Sequence, residues 1–355
     1  MCLLYDSLPA RILFRLRILY FDAIMNRVGK KINMTILKQI SIHELTDFKI
    51  GNAEYTEGAT GCTVILPTDK GATCGVDIRG GGPANREGGL LNPLAANDSV
   101  NAVLLSGGSA FGLEASIGVT KYLEEKGIGF PTDSGVVPIV CQSCLFDLEM
   151  HTNTIRPDAS LGYQVCLNAE NNNYADGNVG AGCGATCGKA YGSEHMMKTG
   201  VGSCAYQLGD VKVGVIVACN SMGDVFDYTN GTQIAGAIDY NTKQFLNCEE
   251  ALYMMQMQSQ LHTNTTIGIV LTNASFNKTQ LTKIASMAHD GMARSINPIH
   301  TEFDGDTIYA MASGKVKADL NVIGTLAARC FSEAITASVK NSESMYGVLS
   351  YKDIH

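Results

Sequence analysis

The architecture this sequence predicts is a layered α/β domain, with sheets covered by helices, and three observations predict it. Short β-rich runs are grouped between longer helical patterns. No repeat recurs at a fixed period, and no Pro/Ser-rich linker divides the chain. Apolar residues make up 45% and charged residues 17% of 355, with 38 glycines, a balance that describes a tightly packed, loop-rich chain.

In chain order, Cys62–Leu66 and Ala72–Ile78 are β-rich runs joined by a Pro/Asp/Lys/Gly turn, and the spacing predicts a hairpin. A glycine loop follows at Gly80–Glu87. From Ser109 to Lys126 the period changes: Phe111, Ala115, Val119 and Leu123 recur every fourth residue, and Gly127 is a natural helix stop. Val211–Cys219 is a buried strand that ends at Asn220, and Thr266–Leu271 is another. Helices return at Gln280–Ala293 and Leu320–Val339.

Composition also excludes several function classes. A net charge of −8 with a pI near 5.4 lacks the basic footprint of a general nucleic-acid binder. No run holds the roughly 18 uninterrupted apolar residues of a membrane span. Residues 1–33 carry a net charge of +4. Arginines interrupt their apolar stretch and no small-residue cleavage site follows, so the expectation is a disordered or mis-assigned extension, with the start at Met25 or Met34, and a cytoplasmic protein. The twelve cysteines, spread from Cys2 to Cys330, read as reduced buried thiols. The pairs Cys141/Cys144 and Cys183/Cys187 have no second pair at zinc-binding spacing, so no metal is expected.

The loop Gly80-Gly81-Gly82-Pro83-Ala84-Asn85-Arg86-Glu87 has neither a P-loop ending nor a GxGxxG opening a helix, and reads as a tight turn near a buried site. Ser109 is not in a GxSxG elbow and serves as readily as a helix N-cap. The seven histidines are scattered singly. More informative is HTNTTIGIVLTNA, residues 262–274, where the Asn264-Thr265 bond sits at the change from polar stretch to apolar strand. Cut there, Thr265 would carry its own base, because an α-amine of pKa about 7.7–8.0 can accept the hydroxyl proton. Ordinary β-propensity explains a Thr-Thr pair equally well.

Several motifs in order shift the balance. RGGGPANRE (79–87), LLSGGSAFGLEASIGVTKYLEEKGIG (104–129), GVVPIV (135–140), NVGAGCGATCGK (178–189), VIVACNSMGDV (215–225), NTTIGIVLTNA (264–274) and FDGDTIYA (303–310) together resemble the L-aminopeptidase/D-esterase family, over about residues 40–340. That family includes β-peptidyl aminopeptidases and nylon-oligomer (6-aminohexanoate) hydrolases. The resemblance implies an αββα four-layer sandwich, of the type shared with ornithine acetyltransferases. It also implies a precursor that cuts itself before Ser or Thr, and amide hydrolysis by an N-terminal nucleophile without metal or cofactor.

Carried over by position, Thr265 matches the nucleophile and Asn264-Thr265 the self-cleaved bond. A single domain of residues 34–355 would then become an α fragment of 34–264 and a β fragment of 265–355. Asn220 matches the amide donor of the oxyanion hole, with a strand-ending turn cap as its structural alternative. Lys189 matches the lysine near the nucleophile, and Lys198 is the fallback. Asp304 and Asp306 alternate, so in extended chain they point the same way. Their matches orient the freed ammonium and the nucleophile hydroxyl, whereas a DG pair alone would read as a solvated turn.

Phe146 stands where members often have a tyrosine, which alters oxyanion support or substrate choice. RGGGPANRE replaces GGAPGTRE, and its Arg86-Glu87 reads as an internal ion pair. Residues 1–33 match nothing in the family. The expected activity is release of N-terminal residues from short peptides, amino-acid amides or esters, without cofactor, nucleic acid or membrane, by a homo-oligomer, expected as a tetramer. Acyl transfer of the ornithine acetyltransferase type and an unprocessed, non-enzymatic relative are the alternatives.

Overall fold

Two β-sheets share one apolar interior, and each carries a pair of helices on its outer face. The computed structural model describes residues 37–255 and 264–355, and Gln39–His355 form a compact unit. The strands of the two main sheets are β1 (Leu37–Ile40), β2 (Phe48–Tyr55), β3 (Thr60–Pro67), β4 (Thr73–Ile78), β5 (Ala84–Arg86), β6 (Ala102–Ser106), β7 (Val140–Cys144), β8 (Val201–Leu208), β9 (Val211–Ala218), β10 (Ile267–Ala274) and β11 (Thr307–Val316). One sheet runs β2-β3-β6-β7-β5 and the other β1-β8-β9-β10-β11-β4. Among the described residues the α-helices are α1 (Ala115–Glu125), α2 (Ala159–Glu170), α3 (Cys248–Met255), α4 (Lys278–Ser295) and α5 (Leu320–Lys340).

Alternation along the strands builds the layers. Ile50, Ile65, Val103 and Leu105 of the first sheet meet Ile216, Ile269, Leu271, Tyr309 and Met311 of the second in one buried cluster. The intervening Val64 and Leu104 turn outward and pack on Val119 and Leu123 of α1 and Val165 of α2. Helices α4 and α5 cover the other sheet. The result is the expected αββα sandwich. By length and composition α5 would span a membrane, but 67% of its apolar window is buried in the protein, as befits a core helix.

The helices cross closely where glycines allow it. A Cβ on Gly118 of α1 would lie 1.9 Å from the Ala159 carbonyl oxygen, and one on Gly162 of α2 would lie 1.8 Å from that of Ala115.

Three expectations are corrected. Cys62–Leu66 and Ala72–Ile78 are strands but not a hairpin: β3 has both edges occupied, by β2 and β6, so β4 goes to the other sheet and pairs antiparallel with β11. Ser109 is not an N-cap. Gly108 (φ +81°) and Ser109 (φ +53°) are left-handed, residues 109–114 wind as 3-10 turns, and the buried stripe begins at Ala115, leaving Phe111 exposed. Arg86 donates to Ser116 Oγ at 2.8 Å, and no Arg86–Glu87 ion pair occurs among the described residues.

The Gly127 stop, with φ +65°, and the strand ending before Asn220 are as expected. Each described cysteine is buried with a free thiol. Cys141 and Cys144 are three apart on β7, so their side chains leave opposite faces. The extension at residues 1–33 lies outside the described residues.

Candidate active site

Strand register assembles the site. β9 and β10 pair antiparallel with Ala218 opposite Ile267, and β10 and β11 pair parallel with Ile267 beside Thr307. Asn220, Asn264-Thr265-Thr266 and Asp304-Gly305-Asp306 therefore leave neighbouring strands at one end of the sheet, and a β-bridge joins Asn264 to Asp304. The glycine loop closes over this end. Arg79 N–H donates to the Asp306 carbonyl at 3.0 Å and Gly82 N–H to that of Asp304 at 2.9 Å, which matches the reading of a tight turn near a buried site.

Thr265 is 4% exposed. Its N–H donates to the Asn220 carbonyl at 2.9 Å, and its hydroxyl donates to the carbonyl oxygen of Asn264. That same oxygen accepts the Gly305 N–H at 3.0 Å. A Cβ on Gly305 would come within 2.7 Å of Thr265 Oγ1, so only glycine leaves the hydroxyl its place. Both polar side-chain atoms of Asn264 are buried without partners.

Asn220 is fully buried. Its Oδ1 accepts from Lys189 Nζ at 2.8 Å and from Thr186 N–H at 3.1 Å, while Nδ2 donates to the Phe146 carbonyl at 2.8 Å. A lysine has only donors, so this contact fixes which way the amide faces. Lys189 is itself buried, which pushes its ammonium pKa down to about 8. Lys198 is equally buried but stands apart: Nζ donates to the carbonyls of Gly182, Ala185 and Thr199, a structural clamp on the 182–185 turn. The geometry brings Lys189, not the fallback, to Asn220.

Both aspartates are fully buried, which excludes the solvated turn. Asp304 Oδ2 accepts from Thr301 N–H and Oγ1 at 2.7 and 2.6 Å, while Oδ1 is buried and unpartnered. Burial, with Asp306 close by, raises its carboxyl to about 6. Asp306 Oδ1 accepts the Thr266 N–H at 2.8 Å, and neither carboxylate hydrogen-bonds the Thr265 hydroxyl in this uncut chain. Phe146 is half-buried and reaches the site through its main-chain carbonyl.

Three contributors escaped the sequence reading. Gly305 lay inside the quoted DGD, where only the carboxylates drew notice. Asp147, adjacent to Phe146, is buried and accepts from Gly108 N–H at 2.7 Å and Thr60 Oγ1 at 2.6 Å, anchoring the segment that carries the Phe146 carbonyl. Burial raises its carboxyl to about 6. The third, His300, whose main-chain N–H and ring Nδ1 lie 3.2 and 2.8 Å from Asp306 Oδ2, gave no local signal. Among the described residues no group of three or more His, Cys, Asp or Glu side chains could hold a metal.

Residues 41–352 match peptidase family S58. An uncharacterised aminopeptidase of Mycobacterium tuberculosis (strain H37Rv) is 37% identical over 318 residues, covering 83% of this chain and 90% of its own. A 6-aminohexanoate-oligomer endohydrolase of Kocuria sp. is 29% identical over 309 residues, covering 82% and 83%. The L-aminopeptidase D-Ala-esterase/amidase of Ochrobactrum anthropi, described as a variant of the Ntn hydrolase fold, superposes with a TM-score of 0.63 at 15% identity, covering 86% and 89%. With a buried threonine where three strands of such a fold end, and a family match over nearly all the described residues, the chain belongs to peptidase family S58 and is a hydrolase of peptide or amide bonds.

Proposed function

We propose that this hydrolase is an autoproteolytically activated aminopeptidase/amidase whose nucleophile, Thr265, is released by cutting Asn264-Thr265. One observation carries the reading: the Thr265 hydroxyl already donates to the carbonyl oxygen of the bond to be cut, and the Gly305 N–H holds the same oxygen at 3.0 Å. Attack by Oγ1 on the Asn264 carbonyl carbon places negative charge on that oxygen, where a preset main-chain donor stabilises it. The C–N bond then breaks, the hydroxyl proton passes to the leaving amine, and an ester remains between Asn264 and Thr265. Water cleaves the ester, giving the Asn264 carboxylic acid and restoring the Thr265 hydroxyl. The two orphaned polar atoms of the Asn264 side chain cost about 1–3 kcal/mol each while buried, a penalty relieved when that chain end departs.

In the cut enzyme the Thr265 amine serves as base for its own hydroxyl. A substrate carbonyl then takes the place of Asn264, with Asn220 Nδ2 as oxyanion donor. Lys189 holds the amide in that orientation. The unpartnered Asp304 Oδ1 is the acceptor on offer for the new ammonium, and Asp306 fixes the neighbouring Thr266. Substrates are short peptides, amino-acid amides or esters with a free amine, and the endohydrolase relative adds 6-aminohexanoate oligomers to the panel.

The test is to assay the purified chain on amino-acid anilides, dipeptides and 6-aminohexanoate dimer, beside Thr265→Ala. Amine release by wild type alone is expected. Equal release by both proteins would refute Thr265 as nucleophile.

A further inference from the structure

The proposed mechanism leaves two neighbouring histidines unused, His289 fully buried and His300 half-buried. His300 lies at φ +60°, a left-handed conformation uncommon for a bulky residue, and it is held there by one carboxylate oxygen. Asp306 Oδ2 accepts both the His300 N–H, at 3.2 Å, and a contact from ring Nδ1, at 2.8 Å. The other oxygen, Oδ1, accepts the Thr266 N–H at 2.8 Å. The rest of the ring faces no acceptor. His300 Nε2 is buried and unpartnered, and the ring packs edge-on against His289 of α4, with centroids 4.8 Å apart and an interplanar angle of 74°.

His289 continues the arrangement away from the site. Its Nε2 meets the Asp77 carbonyl of β4 at 3.0 Å, which accepts only, so Nε2 carries the proton and the buried Nδ1 stays bare. Asp77 in turn accepts from Arg79 Nε at 3.0 Å, and Arg79 Nη2 donates to the Ser286 carbonyl of α4 at 2.8 Å. Burial keeps the His289 imidazole neutral, with its pKa pushed down to about 4. The wall behind His300 is thus an uncharged ring anchored to β4.

We propose that His300 is a positioning residue for Thr265 chemistry: its Nδ1–H and backbone N–H clamp one oxygen of Asp306, so that the other is aimed at the Thr266 N–H beside the nucleophile. The inference rests on the reading of Thr265 as the self-cleaving nucleophile. Its geometric content is specific. The ring nitrogen that faces Asp306 must carry a proton, since both Asp306 oxygens already accept N–H donors and stand as acceptors. Removing one donor to a buried carboxylate leaves it free to turn away from Thr266, which displaces the residue next to the nucleophile.

Two measurements test the clamp. In the first, the full-length chain is made by cell-free synthesis and its disappearance is followed by denaturing gel for wild type, His300→Asn, His300→Leu and His300→Gln. Asparagine tolerates a positive φ and places its Nδ2–H where the imidazole Nδ1–H stood, so it should cut within about threefold of wild type. Leucine fills the space without the donor and glutamine carries its amide too far out; each should be slower by about tenfold or more. Thermal melts establish that each variant folds, and if leucine does not, glutamine carries the comparison.

Cutting by the folded donor-less variants at the wild-type rate would overturn the clamp. A wild-type chain that stays whole would instead overturn the Thr265 reading. The second measurement is independent of cutting: imidazole ¹⁵N NMR of uncut Thr265→Ala should show His300 protonated at Nδ1. The opposite tautomer overturns the proposal.

Discussion

Asn220 Oδ1 faces the Lys189 ammonium at 2.8 Å, and with the amide so fixed its Nδ2 has one hydrogen on the Phe146 carbonyl and one left over, which the proposed mechanism gives to a developing oxyanion. Replacing it by alanine should lower kcat for amide hydrolysis by about 10²- to 10³-fold, the usual loss for one such donor. A steady-state assay on processed enzyme checks this, and an unchanged kcat would return Asn220 to the turn-cap role. Asp304 predicts a pH effect of definite sign. Its carboxyl is raised to about 6, so it holds its proton below that pH and is ionised above it. A partner for the ammonium formed on proton transfer must be ionised, hence below about 6 the loss of Asp304's charge should add to the acid limb already set by protonation of the Thr265 amine, and Asp304→Asn should lose most of its activity while keeping the amine's limb. At this scale the strand-end residues were legible because each sat inside a motif. His300 was not, because the role proposed for it depends on a left-handed backbone and a partner that no spacing rule announces. Lys189 and Lys198 differed only once their acceptors were known: a side-chain amide for one and three main-chain carbonyls for the other.

At the scale of elements, periodicity located helices α1, α4 and α5 and strands β3, β4, β9 and β10, since burying apolar faces is what forms them, while α2, α3 and the remaining strands were not singled out. It failed at the connection of β3 to β4, whose turn residues fit a hairpin and a crossing between sheets equally well. What decides is that β3 already has partners on both edges, a fact about strands distant in sequence. The crossing of α1 and α2 carries its own prediction. Alanine in place of Gly162 gains up to about 1 kcal/mol of helix propensity. Its Cβ would lie 1.8 Å from the Ala115 carbonyl oxygen, which is backbone and cannot rotate aside, and overpacking of this kind costs about 1–3 kcal/mol. The clash should win, lowering the melting temperature of Gly162→Ala. A rise would mean that the helices separate freely at this crossing.

Across the whole molecule, the two-sheet sandwich does one thing for the proposed chemistry: it carries three strands from a fully buried core to a common end, so the Asn264-Thr265 bond and both aspartates are ordered by the same packing that stabilises the fold. The layer order came from the family resemblance and not from the residues alone, because single-sequence patterns show which segments bury a face but not which segments share it. The central claim is that this fold cuts its own chain at Asn264-Thr265. Intact mass under denaturing conditions, on wild type and Thr265→Ala, tests it most directly. The account predicts two fragments from wild type, one ending at Asn264 and one beginning at Thr265, and a single uncut chain from the variant; an uncut chain in both would contradict it.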